Sequence, residues 1–192
     1  MVDVSSLGLS EPDQLNWDAY EEGGQSKPLP PAGRYKVVAP AEFKEANFTK
    51  GNKGQLVVFT DPTIADGPHK GYQARFQRAS TTKYSNREGS PLGDYFKAHG
   101  MKVKPTSNAE YVNAVLQTAG RGYEIDVDWN AYDKDTKFSL DGMTKFPKQE
   151  DGTFQPWVNH PTATEADPYK PGETRPKRVW ANLTIKRYVA KK

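Results

Sequence analysis

Aromatic rings and cations alternate along this chain in a pattern that suits one kind of ligand. Lys44, Lys50 and Lys53 surround Phe48, and Arg75, Arg78, Lys83, Tyr84 and Arg87 form a second group. Lys137-Phe138, Lys145-Phe146 and Trp157 follow, and Lys177, Arg178, Trp180, Lys186 and Tyr188 close the series. A flat π face accepts any base, and a cation follows the phosphates between bases, so the two together suit single-stranded nucleic acid. Each stacked base would contribute ~1–3 kcal/mol, and each neutralised phosphate would steepen the salt dependence by roughly 0.7 log units per decade.

Other chemistries find less support. The absence of cysteine removes disulfides, thiolate nucleophiles and Cys-based zinc sites. His69, His99 and His160 are scattered, with no pair at metal-ligand spacing. Asp126, Asp128, Asn130, Asp133 and Asp135 have the look of a calcium loop, but Ala131 stands where the turn needs glycine and Lys137 where it needs the last carboxylate. No phosphate-cradling glycine loop, nucleophile elbow or dinucleotide fingerprint occurs. Asp126 with Asp128 is the one acid pair a magnesium nuclease would use, and a solvated sheet face explains it equally well. The expectation is a binding protein, not an enzyme, with no catalytic residue, metal ligand or cofactor.

The net charge of +3 says little until it is placed along the chain. Residues 1–26 hold six acids and no Lys or Arg, whereas residues 169–192 hold eight Lys or Arg and the single acid Glu173. A basic end attracts phosphates; an acidic leader keeps the protein soluble or competes for the same groove. The longest strongly apolar run, Leu56 to Phe59, is too short to cross a bilayer, and the acidic N-terminus is unlike a signal peptide.

These residues need elements to position them. Residues 1–32 read as an acidic leader ending in a Pro-rich stretch, and residues 33–192 as one domain. A first strand places Tyr35, Val37, Ala39, Ala41 and Phe43 on one face. Lys44 to Gly54 reads as a mobile basic loop before a second strand, Gln55 to Thr60. A third runs from Tyr72 to about Ala79, with Tyr72, Ala74 and Phe76 facing the core. Ser90-Pro91 and the Ser107–Glu110 capping box open two helices, stopped by Gly100 and Gly120. A fourth strand, Tyr123 to Trp129, alternates cleanly. A long excursion over residues 130–178, with a hairpin around Asp133-Lys134-Asp135, precedes a fifth strand on which Val179, Ala181, Leu183 and Ile185 face inward and Trp180, Lys186 and Tyr188 outward. The predicted fold is mainly β with minor α: a five-stranded, OB-like Greek-key barrel with a helical connection between strands three and four and a long excursion between strands four and five. Such barrels bind oligonucleotides across strands two and three and with the loops joining strands one to two and four to five.

Three short motifs carry a family likeness: Leu15-Asn16-Trp17-Asp18, Leu29-Pro30-Pro31-Ala32-Gly33-Arg34-Tyr35 and Gly67-Pro68-His69-Lys70-Gly71-Tyr72. Over roughly residues 13–130 the chain resembles bacteriophage replication-module proteins regarded as single-stranded DNA-binding proteins. The resemblance implies an OB-like fold and a role in protecting or presenting single-stranded DNA during phage replication or recombination. It also implies phage replication or recombination proteins as partners, and the cytoplasm of an infected bacterium as the location. The competing readings are a virion or carbohydrate-binding β-module, whose rings would stack on sugars, and an adaptor or inhibitor of a host protein.

Overall fold

The computed structural model describes residues 29–82, 89–150 and 152–191. Within them nine strands and two α-helices follow one another: β1 (Gly33–Val38), β2 (Phe48–Lys50), β3 (Leu56–Phe59), β4 (Thr63–Ile64), β5 (Arg78–Ser80), α1 (Pro91–Ala98), α2 (Asn108–Leu116), β6 (Gly122–Asp133), β7 (Phe138–Asp141), β8 (Trp157–Ala166) and β9 (Thr174–Val189). All strand pairs are antiparallel, and the fold is mainly β with few helices, its larger sheet curled into a half-barrel. Among the described residues no helix is long and apolar enough to cross a membrane.

The organising strand is β6. Its alternation buries Tyr123, Ile125, Val127, Trp129, Ala131 and Asp133 in turn, because successive side chains point to opposite faces. β9 pairs along one edge of β6, while β1 and then β7 share the other, giving the order β4-β1-β6-β9-β8. A smaller sheet runs β2-β3-β5. The two meet through the first hairpin, since Val37 and Val38 oppose Ile64 and Thr63, and farther along Phe48 to Lys50 oppose Val58 to Leu56.

A side chain joins the sheets on the other side. Gln77 Nε2 donates to the Leu183 carbonyl at 2.7 Å, and Gln77 Oε1 accepts from the Ile185 amide at 2.9 Å. The amide thus imitates a neighbouring strand along the edge of β9 that β8 leaves open, satisfying backbone groups that must otherwise find partners.

The helices close one end. Ser90 Oγ accepts from the Gly93 amide and Pro91 takes the first helical position, so α1 starts where the sequence places it and buries Leu92, Tyr95, Phe96 and Ala98. Ser107 caps α2 through the Glu110 amide, while the Glu110 carboxylate accepts from Thr106 instead of completing the box at Ser107. Leu92, Tyr95, Val115, Ile125 and Trp129 are fully enclosed, each burial worth about 1.5–3 kcal/mol before the entropy of ordering the chain is set against it.

Three local expectations are corrected. Lys44 to Gly54 is not one loop: Phe48–Lys50 joins the β3 ladder, which leaves a tight turn at residues 51–54. The third strand does not run unbroken from Tyr72. Gln73 makes a single bridge to Thr63, and only Arg78–Ser80 forms a ladder. Phe76 takes a left-handed φ of 61°, which inserts a residue into the alternation, so that Ala74 and Gln77 point inward and Phe76 is 68% exposed. In the fifth strand the pairing shifts between Asp126 and Val127, whose partners are Arg187 and Ile185. Lys186 is therefore an extra residue, and this bulge turns Tyr188 inward beside Ile125 instead of outward with Trp180. The hairpin at Asp133-Lys134-Asp135 forms as expected, between β6 and β7.

Candidate nucleic-acid interface

One face of the molecule gathers cations and rings into a continuous path. On the outer side of the small sheet, Phe59 opposes Arg78 and Val57 opposes Ser80. The Arg78 guanidinium lies over the Phe59 ring, 5.2 Å from its centroid. With Lys50 and Gln55 these residues line a shallow depression. Arg78 is also a wall of the next one, which runs beside the outer face of β9 and β6 and is lined by Arg75, Phe76, Tyr132, Asn182 and Lys186. Arg75, Phe76 and Asn182 in turn border a third, reached past Tyr72 and Gln73. The acid in this lining is Asp94 of α1, paired with Lys97 at 3.5 Å.

Beyond Tyr132 the path opens onto a row of rings. Ala131 opposes Ala181, so Tyr132 and Trp180, each one residue away, share the outer face of adjacent strands; they are 57% and 59% exposed. Trp180 opposes Trp157 of β8. The Arg178 guanidinium sits 4.3 Å from the Trp157 ring centroid, a cation–π contact that fixes both groups before any ligand arrives.

Electrostatics divides the cations into two classes. Lys177 is held by Asp133 at 2.9 Å and Asp135 at 3.8 Å, Lys186 by Asp141, Lys44 by Glu42 at 2.8 Å and Arg175 by Glu165 at 2.9 Å. Hydrogen bonds from Lys177 and Lys186 hold the Asp133 and Asp141 carboxyls below their ordinary range, and hydrogen bonds from Arg34 and then Arg187 do the same for Asp126. The Asp133 carboxylate in turn raises the Lys177 ammonium. By contrast Lys50, Arg75, Arg78 and Arg178 make no ion pair with the described residues, so their charge is available to a phosphate.

The predicted residues therefore separate. Lys50, Arg75, Arg78 and Lys186 come together in the groove, and Trp157, Arg178 and Trp180 on the ring row. Phe48 is half-buried against Phe43, Phe138 lies on His160, Phe146 is buried against Phe154, and Tyr188 packs between Tyr95 and Tyr123. Phe48, Phe138 and Phe146 belong to the core and its margin, whereas Tyr188, turned inward by the bulge, still borders the groove beside Lys186. Lys44, Lys53, Lys137 and Lys145 are exposed but do not line the groove, and Lys177 is engaged by its two acids. Lys83, Tyr84 and Arg87 lie outside the described residues.

Sequence reasoning missed Phe59, Phe76, Tyr132 and Asn182. Continuing the β6 alternation past Trp129 finds Tyr132, but nothing local marks Phe76. The acid pair of β6 has structural work: Asp128 Oδ1 accepts from the Trp129 and Met143 amides at 2.8 Å, and Asp126 binds two arginines. Among the described residues no three His, Asp or Glu side chains gather to hold a metal ion. Comparison with protein-family models, with curated proteins and with solved structures finds no match.

Proposed function

We propose that this chain is an OB-type barrel that binds single-stranded DNA, independently of sequence and without altering it. Several pairings support the OB reading. β1 pairs with both β4 and β6, β3 with β5, β6 with β9, and Gln77 ties the approach to β5 to β9. Counting β1–β2 and β3–β4 as two interrupted strands gives five arcs in the order of a Greek-key barrel, with the helices between the third and fourth.

The observation that carries the functional reading is the interleaving, along one face, of the unpaired cations Lys50, Arg75 and Arg78 with the rings Phe59, Phe76, Tyr132 and Trp180. Cations spaced between flat apolar surfaces match the alternation of phosphate and base in a single strand. A duplex hides its base faces and would meet only the charges. The resemblance to phage replication-module proteins supports DNA as the ligand and phage replication or recombination in the bacterial cytoplasm as the setting.

Titration of the full chain with oligo-dT, followed by tryptophan fluorescence at low and high salt, tests this. Quenching through Trp180 and Trp157 is expected, with affinity falling as salt rises and with duplex of the same length binding more weakly. Equal affinity for duplex, or affinity indifferent to salt, would overturn the reading.

A further inference from the structure

We infer that Phe76 is a base-stacking residue of this interface, held outward in a strained conformation by the anchored Gln77 and Ala74 on either side. The inference rests on the single-strand reading above and deepens it by naming the ring that takes a base.

The backbone at Phe76 is the first ground. A φ of 61° at a bulky side chain is a genuine outlier, since the Cβ crowds the flanking carbonyl. Such strain persists only where neighbouring structure imposes it, and it concentrates at ligand sites. Here the neighbours do impose it. The Gln77 amide donates to Asp61 Oδ1 at 2.7 Å, and its carbonyl accepts from Thr60 at 2.9 Å. Its side chain binds the Arg75 and Leu183 carbonyls and the Ile185 amide. Two residues before Phe76, Ala74 is buried and donates to the Pro62 carbonyl at 2.9 Å. Phe76 is strung between these fixed points.

The second ground is what the strain achieves. Regular alternation would carry a Phe ring into the core, where burial is favourable; the outlier instead places it in water at 68% exposure. Both the strain and the exposure oppose folding, so neither is accounted for by packing. The ring stands as a ridge between two depressions, each bordered by Arg75 and Asn182. A base laid against the ring brings its phosphate toward Arg75 or Arg78, and its polar edge toward the Asn182 amide.

The test crosses two proteins with two ligands: wild type and Phe76→Gly, each titrated with oligo-dT and with an abasic oligomer of equal length. Glycine adopts the left-handed conformation without penalty, so the variant should keep or raise the melting temperature, which removes misfolding as an explanation. Its affinity for oligo-dT should fall about 5- to 150-fold, while its affinity for the abasic strand should stay within about twofold of wild type. Equal losses on both ligands, or no loss on oligo-dT, would overturn the stacking role. Failure of wild type to bind oligo-dT at all would overturn the single-strand reading together with it.

Discussion

His99, at the end of α1, is enclosed by the rings of Tyr95 and Tyr123, whose centroids lie 4.4 and 4.3 Å away. Its Nδ1 donates to the Tyr95 carbonyl at 2.9 Å, and its buried Nε2 has no hydrogen-bond partner. Burial above all, reinforced by the positive charges of Arg121 and Lys191, lowers its pKa to about 4. In the unfolded chain the same imidazole titrates near 6.5, so between those values the unfolded state takes up a proton that the folded state refuses. The stability contribution is complete above pH ~6.5, is lost as the pH falls toward about 4, and amounts to about 3 kcal/mol at most. The salt-bridged aspartates act lower, because their depressed carboxyls release stability only as the pH falls below the ordinary carboxylate range. His99→Leu should flatten the dependence of the urea midpoint between pH 7 and 4.5; an unchanged slope would show that another group is responsible. At this scale the sequence was uneven. Trp180 is exposed, as its alternation with Asn182 and Thr184 requires, whereas alternation predicts Phe76 inward and the structure turns it out, because a left-handed φ leaves no trace in residue type.

Elements were legible where a single periodicity rules them. β6 keeps its alternation over 12 residues, and both α-helices begin at the caps that Ser90 and Ser107 provide. β9 was legible only from Val179 to its bulge: Thr174 to Arg178 read as part of the excursion, and one extra residue at Lys186 exchanges faces, turning Tyr188 inward and leaving Arg187 outward to meet Asp126. The edge of β9 also depends on Gln77, a contact spanning 106 positions in the chain, which no local pattern encodes. Gln77→Leu should leave the Leu183 carbonyl and Ile185 amide unpaired, at about 1–3 kcal/mol for each group. Hydrogen exchange should then quicken at Ile185 far more than at Ile125 of β6. Equal protection at Ile185 in both proteins would mean that the side chain does not hold this edge.

For the whole molecule, the net charge of +3 understates what a strand would meet. That strands precede the two helices and further strands follow them was readable, as was the presence of cations between rings. Which cations are already neutralised was not, because Asp133 and Asp141 meet Lys177 and Lys186 only in the folded chain. The distinction has a measurable consequence. Arg75→Ala and Arg78→Ala should each reduce the slope of log affinity against log salt by about 0.7, the value for one phosphate of a single strand. Lys177→Ala should leave that slope unchanged, since its charge is held by two acids away from the groove. A slope that fell equally in all three would mean that the strand follows a different course.

The indole N–H of Trp129, in the middle of the core, donates to the carbonyl of Pro30 at 2.8 Å, and the Tyr35 hydroxyl donates to that of Pro31 at the same distance. Anyone shortening this protein for crystallisation therefore has a limit set by two acceptors that precede the first strand. A cut after residue 28 retains them, whereas one after residue 32 strands a buried donor and loosens the core around Trp129.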